Sequence, residues 1–299
     1  MTYAIGFIGM GEAAGAICEG LSGAGAASLG AFDIAADSPA TGPAIRARAA
    51  KGRVTLAASA GELVKASEVV ISAVTAAEAL EVAEDAAPHL RPGQFYMDMN
   101  SANPDTKRRI GAIVEQAGGR FVEAAVMQAV PPNKHKVPML LCGAAAPMLI
   151  DKLKPFGMAL EYMGPELGQA SATKMFRSII MKGMEALFLE SVMAASRYGV
   201  ADKIMESVSE GFPGIDWKGL ATYLIGRTAI HGERRAHEMD EVSETLHAMG
   251  LEPIMAEAAA KRIRQCCEGL QERFAGKAPD NYDVVMAAIR ERDAKKAAE

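Results

Sequence analysis

Two glycines, an aspartate 22 residues further on and a basic stripe past the middle of the chain are the residues whose types and spacing could do chemistry. The run Ile5-Gly6-Phe7-Ile8-Gly9-Met10-Gly11-Glu12-Ala13-Ala14 sets G-x-G-x-x-A between an apolar segment and an Ala-rich stretch. In that pattern Gly9 makes a tight turn, Gly11 lets backbone approach a pyrophosphate, and Ala14 permits close packing of helix on strand. A helix starting there aims unpaired N–H groups and the positive end of its dipole at the phosphates, so no lysine is required. Gly9, Met10, Gly11, Glu12 and Ala13 are therefore the expected phosphate cradle. Asp33 stands 22 residues beyond Gly11, close to the spacing at which an acid meets the adenosine ribose. Its charge repels a 2′-phosphate and Ile34 offers no cation, so NAD is favoured and NADP is the alternative. Asp37 is the competing acid.

A second station is Asp98-Met99-Asn100-Ser101-Ala102-Asn103-Pro104-Asp105. Asn103, Pro104 and Asp105 read as a cap, a first helical residue and a first-turn acid. Ser101, just before the cap and just after an apolar run, is left for a site at the carboxyl edge of a sheet. The third station opens with small residues, Gly168-Gln169-Ala170-Ser171-Ala172-Thr173, and then spaces Lys174, Ser178 and Lys182 at i, i+4 and i+8, with Arg177 beside them. Met175, Phe176, Ile179, Ile180 and Met181 interleave with these charges, and a partly desolvated lysine among cations suits a general acid or base.

Taken together, GFIGMGEAAG, the D-x-x-S-x-x-P stretch from Asp98 to Pro104 and G-x-A-x-x-x-K from Gly168 to Lys174 resemble the β-hydroxyacid dehydrogenases, the relatives of 3-hydroxyisobutyrate and 6-phosphogluconate dehydrogenases. The resemblance implies a nucleotide-binding domain, a helical C-terminal domain entered by a long helix, and a homodimer or tetramer assembled through the helical part. It implies Lys174 as catalytic lysine, Ser101 beside nicotinamide and substrate, Ser178 where the family places an Asn, and the turn Val74-Thr75 near the cofactor. The chain departs from the family at Glu123 to Ala129, which reads E-A-A-V-M-Q-A where D-A-P-V-S-G-G is usual. Met127 and Gln128 then replace the small residues that hold a substrate carboxylate, and Arg177 or Lys182 is expected to hold it instead. Arg234, Arg235 and Glu238 occupy roughly the place of a late lysine-aspartate pair. These departures mark a divergent subgroup with a C-terminal domain like that of 6-phosphogluconate dehydrogenase.

The elements that must position these residues follow from apolar patterning. Tyr3–Ile8, Ala31–Ile34, Val69–Val74, Gln94–Met97, Phe121–Val122 and Met139–Cys142 are expected strands, and VVISAV is nearly all apolar, as in a parallel sheet covered on both faces. Ala14–Gly23, Ala77–Leu90 and Pro104–Ala117 are expected crossover helices. The fold class is thus α/β, with an N-terminal Rossmann-type doubly wound sheet over residues 1–163 and an all-helical domain over 164–299 that starts with a long interdomain helix. The substrate is expected in the cleft between these domains.

Of 299 residues, 32 are Lys or Arg and 37 Asp or Glu, a net charge of −5 with no dense basic run, which argues against nucleic acid as partner. Uncharged stretches are too short and too rich in Pro and Gly to predict a membrane span, and the N-terminus lacks the features of a signal peptide. The four cysteines, at 18, 142, 266 and 267, have no metal-ligand spacing, so no metal is expected and a reducing cytoplasm is the simplest compartment. Lys134-His135-Lys136 reads as a solvated loop. The expected activity is hydride transfer between a nicotinamide and a small 3-hydroxy acid or related alcohol. An imine reductase and a non-catalytic dinucleotide-binding regulator are the competing readings.

Overall fold

A computed structural model describes residues 2–298. The chain forms two compact units, residues 1–174 and 175–299.

The first unit is built on one eight-stranded sheet: β1 (Tyr3–Ile8), β2 (Leu29–Phe32), β3 (Val54–Leu56), β4 (Ser67–Ser72), β5 (Phe95–Asp98), β6 (Arg120–Val126), β7 (Met139–Cys142) and β8 (Leu160–Gly164). Their order is β3-β2-β1-β4-β5-β6-β7-β8, parallel except for the antiparallel pair β6 and β7. The reversal of direction about β1 makes the sheet doubly wound and creates a switch point where β1 and β4 adjoin. Helices α1 (Glu12–Gly23), α2 (Gly42–Lys51), α3 (Ala60–Ala66), α4 (Ala79–Ala86), α5 (Pro104–Gln116), the short α6 (Val130–Asn133) and α7 (Ala146–Leu153) connect the strands. Apolar side chains fill both faces. Ile5, Phe7, Ile17, Leu21, Val69 and Met97 belong to one buried cluster, and Tyr3, Ile8, Leu63, Val70, Tyr96 and Phe121 to another. That two-sided burial is why VVISAV reads as a continuous apolar run.

Two strands were not expected. The three-residue β3 is too short to show a period, and β8 is a largely exposed edge strand whose Leu160-Glu161-Tyr162-Met163-Gly164 has no buried run. β2 starts and ends two residues ahead of the expected segment, because Asp33 is drawn into a turn by its own side chain.

His135, read above as part of a solvated loop, is buried instead. It packs against Gly20 of α1, where a Cβ would stand 2.1 Å from the His135 Nδ1. Lys134 meanwhile pairs with Glu19 at 2.8 Å. Burial, and after it the charge of Lys136, holds the His135 imidazole below its ordinary value of 6.5. The unfolded chain therefore binds this proton at a higher pH than the folded one. The stability His135 contributes as a neutral ring is complete above about pH 6.5 and declines as pH falls below that value. Melting curves of wild type and His135→Gln between pH 7.5 and 5 test this. The Tm gap between them should narrow toward pH 5, and a constant gap refutes the assignment.

Residues Gln169–Tyr198 form one long helix, α8, and the division between the units falls inside it. The second unit is entirely helical among its described residues: the remainder of α8 with α9 (Ala201–Gly211), α10 (Trp217–Ala248), α11 (Ile254–Cys267), α12 (Leu270–Phe274) and α13 (Tyr282–Ala298). Leu189, Val192, Leu224, Ile225, Ile263 and Val285 are among its buried core. α10 leaves helical geometry at His231 (φ −134°, ψ 19°).

Candidate functional site

The glycine turn sits at the switch point. Gly9 follows β1 with φ +92°, a conformation side chains rarely adopt, and a Cβ there would lie 2.4 Å from the Ala73 carbonyl oxygen beyond β4. Its N–H donates to the Phe32 carbonyl at 2.8 Å, closing the turn onto β2. Gly11 is the N-cap of α1, with no side-chain cap, and a Cβ built on it meets nothing within 4 Å. The space over Gly11 and the uncapped first turn of α1 form a cradle a pyrophosphate fits. Ala14 is fully buried against the sheet, as its packing role requires. Glu12 is exposed and Ala13 half-buried.

Asp33 does more than spacing suggested. One carboxylate oxygen accepts the Met10 N–H at 2.8 Å and the other the Ala35 N–H at 2.9 Å, so the residue shapes the glycine turn as well as standing at the end of β2. Arg48 of α2 completes the hold, its Nε donating to the Met10 carbonyl at 2.9 Å while its stem packs on Gly15. Nothing in the local sequence around Arg48 marks it for this. Ile34, next to Asp33, is 90% exposed, and the Arg46 guanidinium is bonded to the Ala36 carbonyl. Asp37 is exposed and makes no bond to the turn.

The second station forms around a buried charge pair. Asp98, ending β5, and Lys107 of α5 are both fully buried and ion-paired, and the Lys107 ammonium also donates to the Asp98 carbonyl at 2.9 Å. Asp98 accepts the Asn100 N–H at 3.0 Å. The Asn100 amide in turn donates to Ser72 Oγ at 2.9 Å and accepts the Val74 N–H at 2.6 Å. Asn100 thus ties the Val74-Thr75 turn to the turn that carries Ser101. Asn103 caps α5, its side chain accepting the Thr106 N–H at 2.8 Å.

Lys174 reaches this turn: its Nζ donates to Ser101 Oγ at 2.6 Å. The helix that carries it is anchored on β6, where the buried Glu123 carboxylate accepts the N–H groups of Gly168 and, at 2.7 Å, of Ser171. Met127 is half-buried beside Ala125, Cys142 and Ala170. Gln128 is exposed, its side-chain oxygen 3.5 Å from the Asn133 amide. The first unit therefore brings together Gly9, Met10, Gly11, Asp33, Val74, Ser101 and Lys174.

The remaining expected residues belong to the second unit. Arg177 is exposed and Ser178 half-buried. Lys182 is 4% exposed, and its ammonium is 2.6 Å from Glu238, which Arg234 also contacts. Burial lowers the Lys182 ammonium from its ordinary value, and Glu238 draws it back up. Beside it, Arg235 grips the fully buried Glu185 with Nε at 2.9 and 3.0 Å and with Nη2, while Thr228 donates its hydroxyl to the same carboxylate. These pairs tie α8 to α10; the sequence pointed to Arg234, Arg235 and Glu238 by their place in the chain but not to Glu185 or Thr228.

Comparison with known proteins gives the same assignment for the first unit. Residues 4–164 match the NAD binding domain of 6-phosphogluconate dehydrogenase. The chain belongs to that family. Residues 195–266 match a domain of unknown function, DUF1932. A conserved hypothetical protein of Sinorhizobium meliloti is 40% identical, with a TM-score of 0.82 over 98% of this chain and 97% of its own. An uncharacterized 28.5 kDa protein of Methanothermus fervidus is 32% identical over 69% of this chain and 79% of its own. The Mycobacterium tuberculosis 3-hydroxyisobutyrate dehydrogenase, 19% identical, shares the fold at a TM-score of 0.74 over 97% of this chain and the whole of its own. A nicotinamide dinucleotide is accordingly the cofactor class of the family, and the resemblance read from the motifs holds. Among the described residues, no helix is long and apolar enough to cross a membrane.

Proposed function

We propose that the protein is an NAD-dependent oxidoreductase that moves a hydride between nicotinamide and a small 3-hydroxy acid or related alcohol, with Lys174 as general acid and base. The observation that carries this reading is the 2.6 Å hydrogen bond from Lys174 Nζ to Ser101 Oγ at the carboxyl edge of the sheet, in the same unit as the glycine cradle. The bound nicotinamide supplies the hydride acceptor or donor. Lys174 takes the hydroxyl proton when an alcohol is oxidised and returns it to the carbonyl oxygen in reduction, and Ser101 holds the amine in place. Of the residues expected to touch substrate, Met127 and Gln128 flank the end of β6. Of the two cations expected to hold a carboxylate, Arg177 is exposed and Lys182 is committed to Glu238.

The test is a spectrophotometric screen of NADH oxidation and NAD reduction against 3-hydroxy acids, semialdehydes, glyoxylate, polyols and preformed imines. Semialdehydes and glyoxylate belong in it because a glyoxylate/succinic semialdehyde reductase of Arabidopsis thaliana is 27% identical over 40% of this chain and 34% of its own. Turnover confined to imines overturns the substrate class, and NADH binding without turnover on any compound favours a regulator.

Cofactor preference has its own variant. Asp33→Ala removes both the charge facing a 2′-phosphate and an acceptor of the glycine turn. NADH affinity should fall and the preference over NADPH should erode, read as the ratio of the two Kd values by fluorescence titration. A wild-type protein that already prefers NADPH refutes the role given to Asp33.

A further inference from the structure

We propose that Glu123 is a positioning residue for the Lys174–Ser101 pair, acting opposite Asp98 on the neighbouring strand; this rests on the reading of Lys174 as the proton carrier. Asp98 of β5 and Glu123 of β6 are partners in strand register and both are fully buried. Each spends its carboxylate on one side of the same hydrogen bond. Asp98 holds the turn bearing Ser101, through the Asn100 N–H at 3.0 Å and the Asn100 amide at 3.0 Å. Glu123 holds the start of α8, through the N–H groups of Gly168 and Ser171.

Ser171 precedes Lys174 by three residues, so the two lie on neighbouring positions of one helix face. A helix start fastened by two N–H groups to one side chain cannot turn about its axis, and such a turn is what would carry Lys174 Nζ away from Ser101. The chemistry of the cap fits the task. First-turn N–H groups have no partner within their own helix, and a carboxylate at that end is matched to the helix dipole. Gly168 enters the helix at φ +98°, a backbone conformation that favours glycine. Glutamate rather than aspartate at this register reaches from the strand to the helix start by one more methylene.

The experiment follows the Lys174 amine itself. Reductive methylation with ¹³C-formaldehyde labels the lysines, and the Lys174 resonance is the one missing in Lys174→Arg. Glu123→Gln keeps the shape but gives up the charge and one acceptor oxygen, so the Lys174 resonance and its titration midpoint should move toward their positions in Ser101→Ala. The double variant Ser101→Ala/Glu123→Gln should move them no further, the signature of two residues acting through one interaction. Glu123→Asp, which keeps the charge and withdraws the oxygens, should move them part of the way and decides the matter alone if the Gln variant does not fold. NADH binding should be unchanged, and on any substrate found, kcat should fall while KM stays near wild type.

A Lys174 resonance that coincides with wild type in the Glu123 variants overturns the proposal, as do shifts that simply add in the double variant. Failure of the acid–base reading looks different: Lys174→Ala then turns over at the wild-type rate while the Glu123 variants still move the resonance.

Discussion

Lys174→Ala should lower kcat by about 10²–10⁴-fold, the range that positioned proton transfer contributes, while leaving NADH affinity at its wild-type value. That loss corresponds to roughly 3–5 kcal/mol of barrier. The separation of the two effects follows from the architecture. The cradle is made by Gly9, Gly11 and the first turn of α1, shaped by Asp33 and Arg48. The lysine instead meets Ser101, which hangs on the Asp98 and Asn100 turn. Lys174→Arg sharpens the test. The guanidinium keeps the charge and can donate to Ser101 but does not release a proton in this pH range, so a general acid–base role predicts that Arg is nearly as slow as Ala. A merely electrostatic role predicts that Arg restores most of the rate. Because the interaction is asked to act on the proton in flight, kcat and kcat/KM should fall together. Wild-type turnover in Lys174→Ala sinks the assignment.

The parts of this site that could be read in the sequence are those whose physics is local. A glycine turn between strand and helix, and an acid one strand later, are fixed by backbone geometry over a few residues, so Gly9, Gly11 and Asp33 declare themselves. Asn103 and Pro104 declare a helix start in the same way. The groups that hold the site rigid were not legible, since each acts across the sheet. Glu123 binds N–H groups 45 and 48 residues later, and Arg48 reaches back to Met10 across 38 residues. Lys107 is followed by Arg108 and Arg109, so nothing local sets it apart, and its burial against Asp98 comes from the packing of α5 on β5. Lys182 illustrates the converse. Its apolar neighbours correctly suggested burial, but its partner Glu238 lies on another helix, so the sequence could not distinguish an anion site from an internal ion pair.

Lys107→Met should destabilise the first unit by about 3–5 kcal/mol, the cost of removing one partner from a buried ion pair and leaving the other charge uncompensated. Asp98 would keep the Asn100 N–H and amide but lose its only counter-ion among the described residues, in a site with no exposed surface. For a unit of this size that loss lowers Tm by on the order of 10 °C, measurable by calorimetry or by circular dichroism. Methionine is chosen because its length and flexibility fill the channel left by the lysine stem, so cavity formation adds little to the effect. The diagnostic comparison is Lys107→Met/Asp98→Asn. Neutralising the stranded carboxylate should recover part of the lost stability, so that the double variant melts above Lys107→Met, the reverse of what two independent losses would give. An additive double variant, or a Lys107→Met that melts within 2 °C or so of wild type, roughly what 1 kcal/mol is worth in a unit of this size, means that the pair does not hold this turn. Should the pair behave as expected, Ser101 inherits its position from a charge buried beneath it. The Lys174–Ser101 hydrogen bond at the sheet edge then depends on a buried ion pair, Asp98 with Lys107.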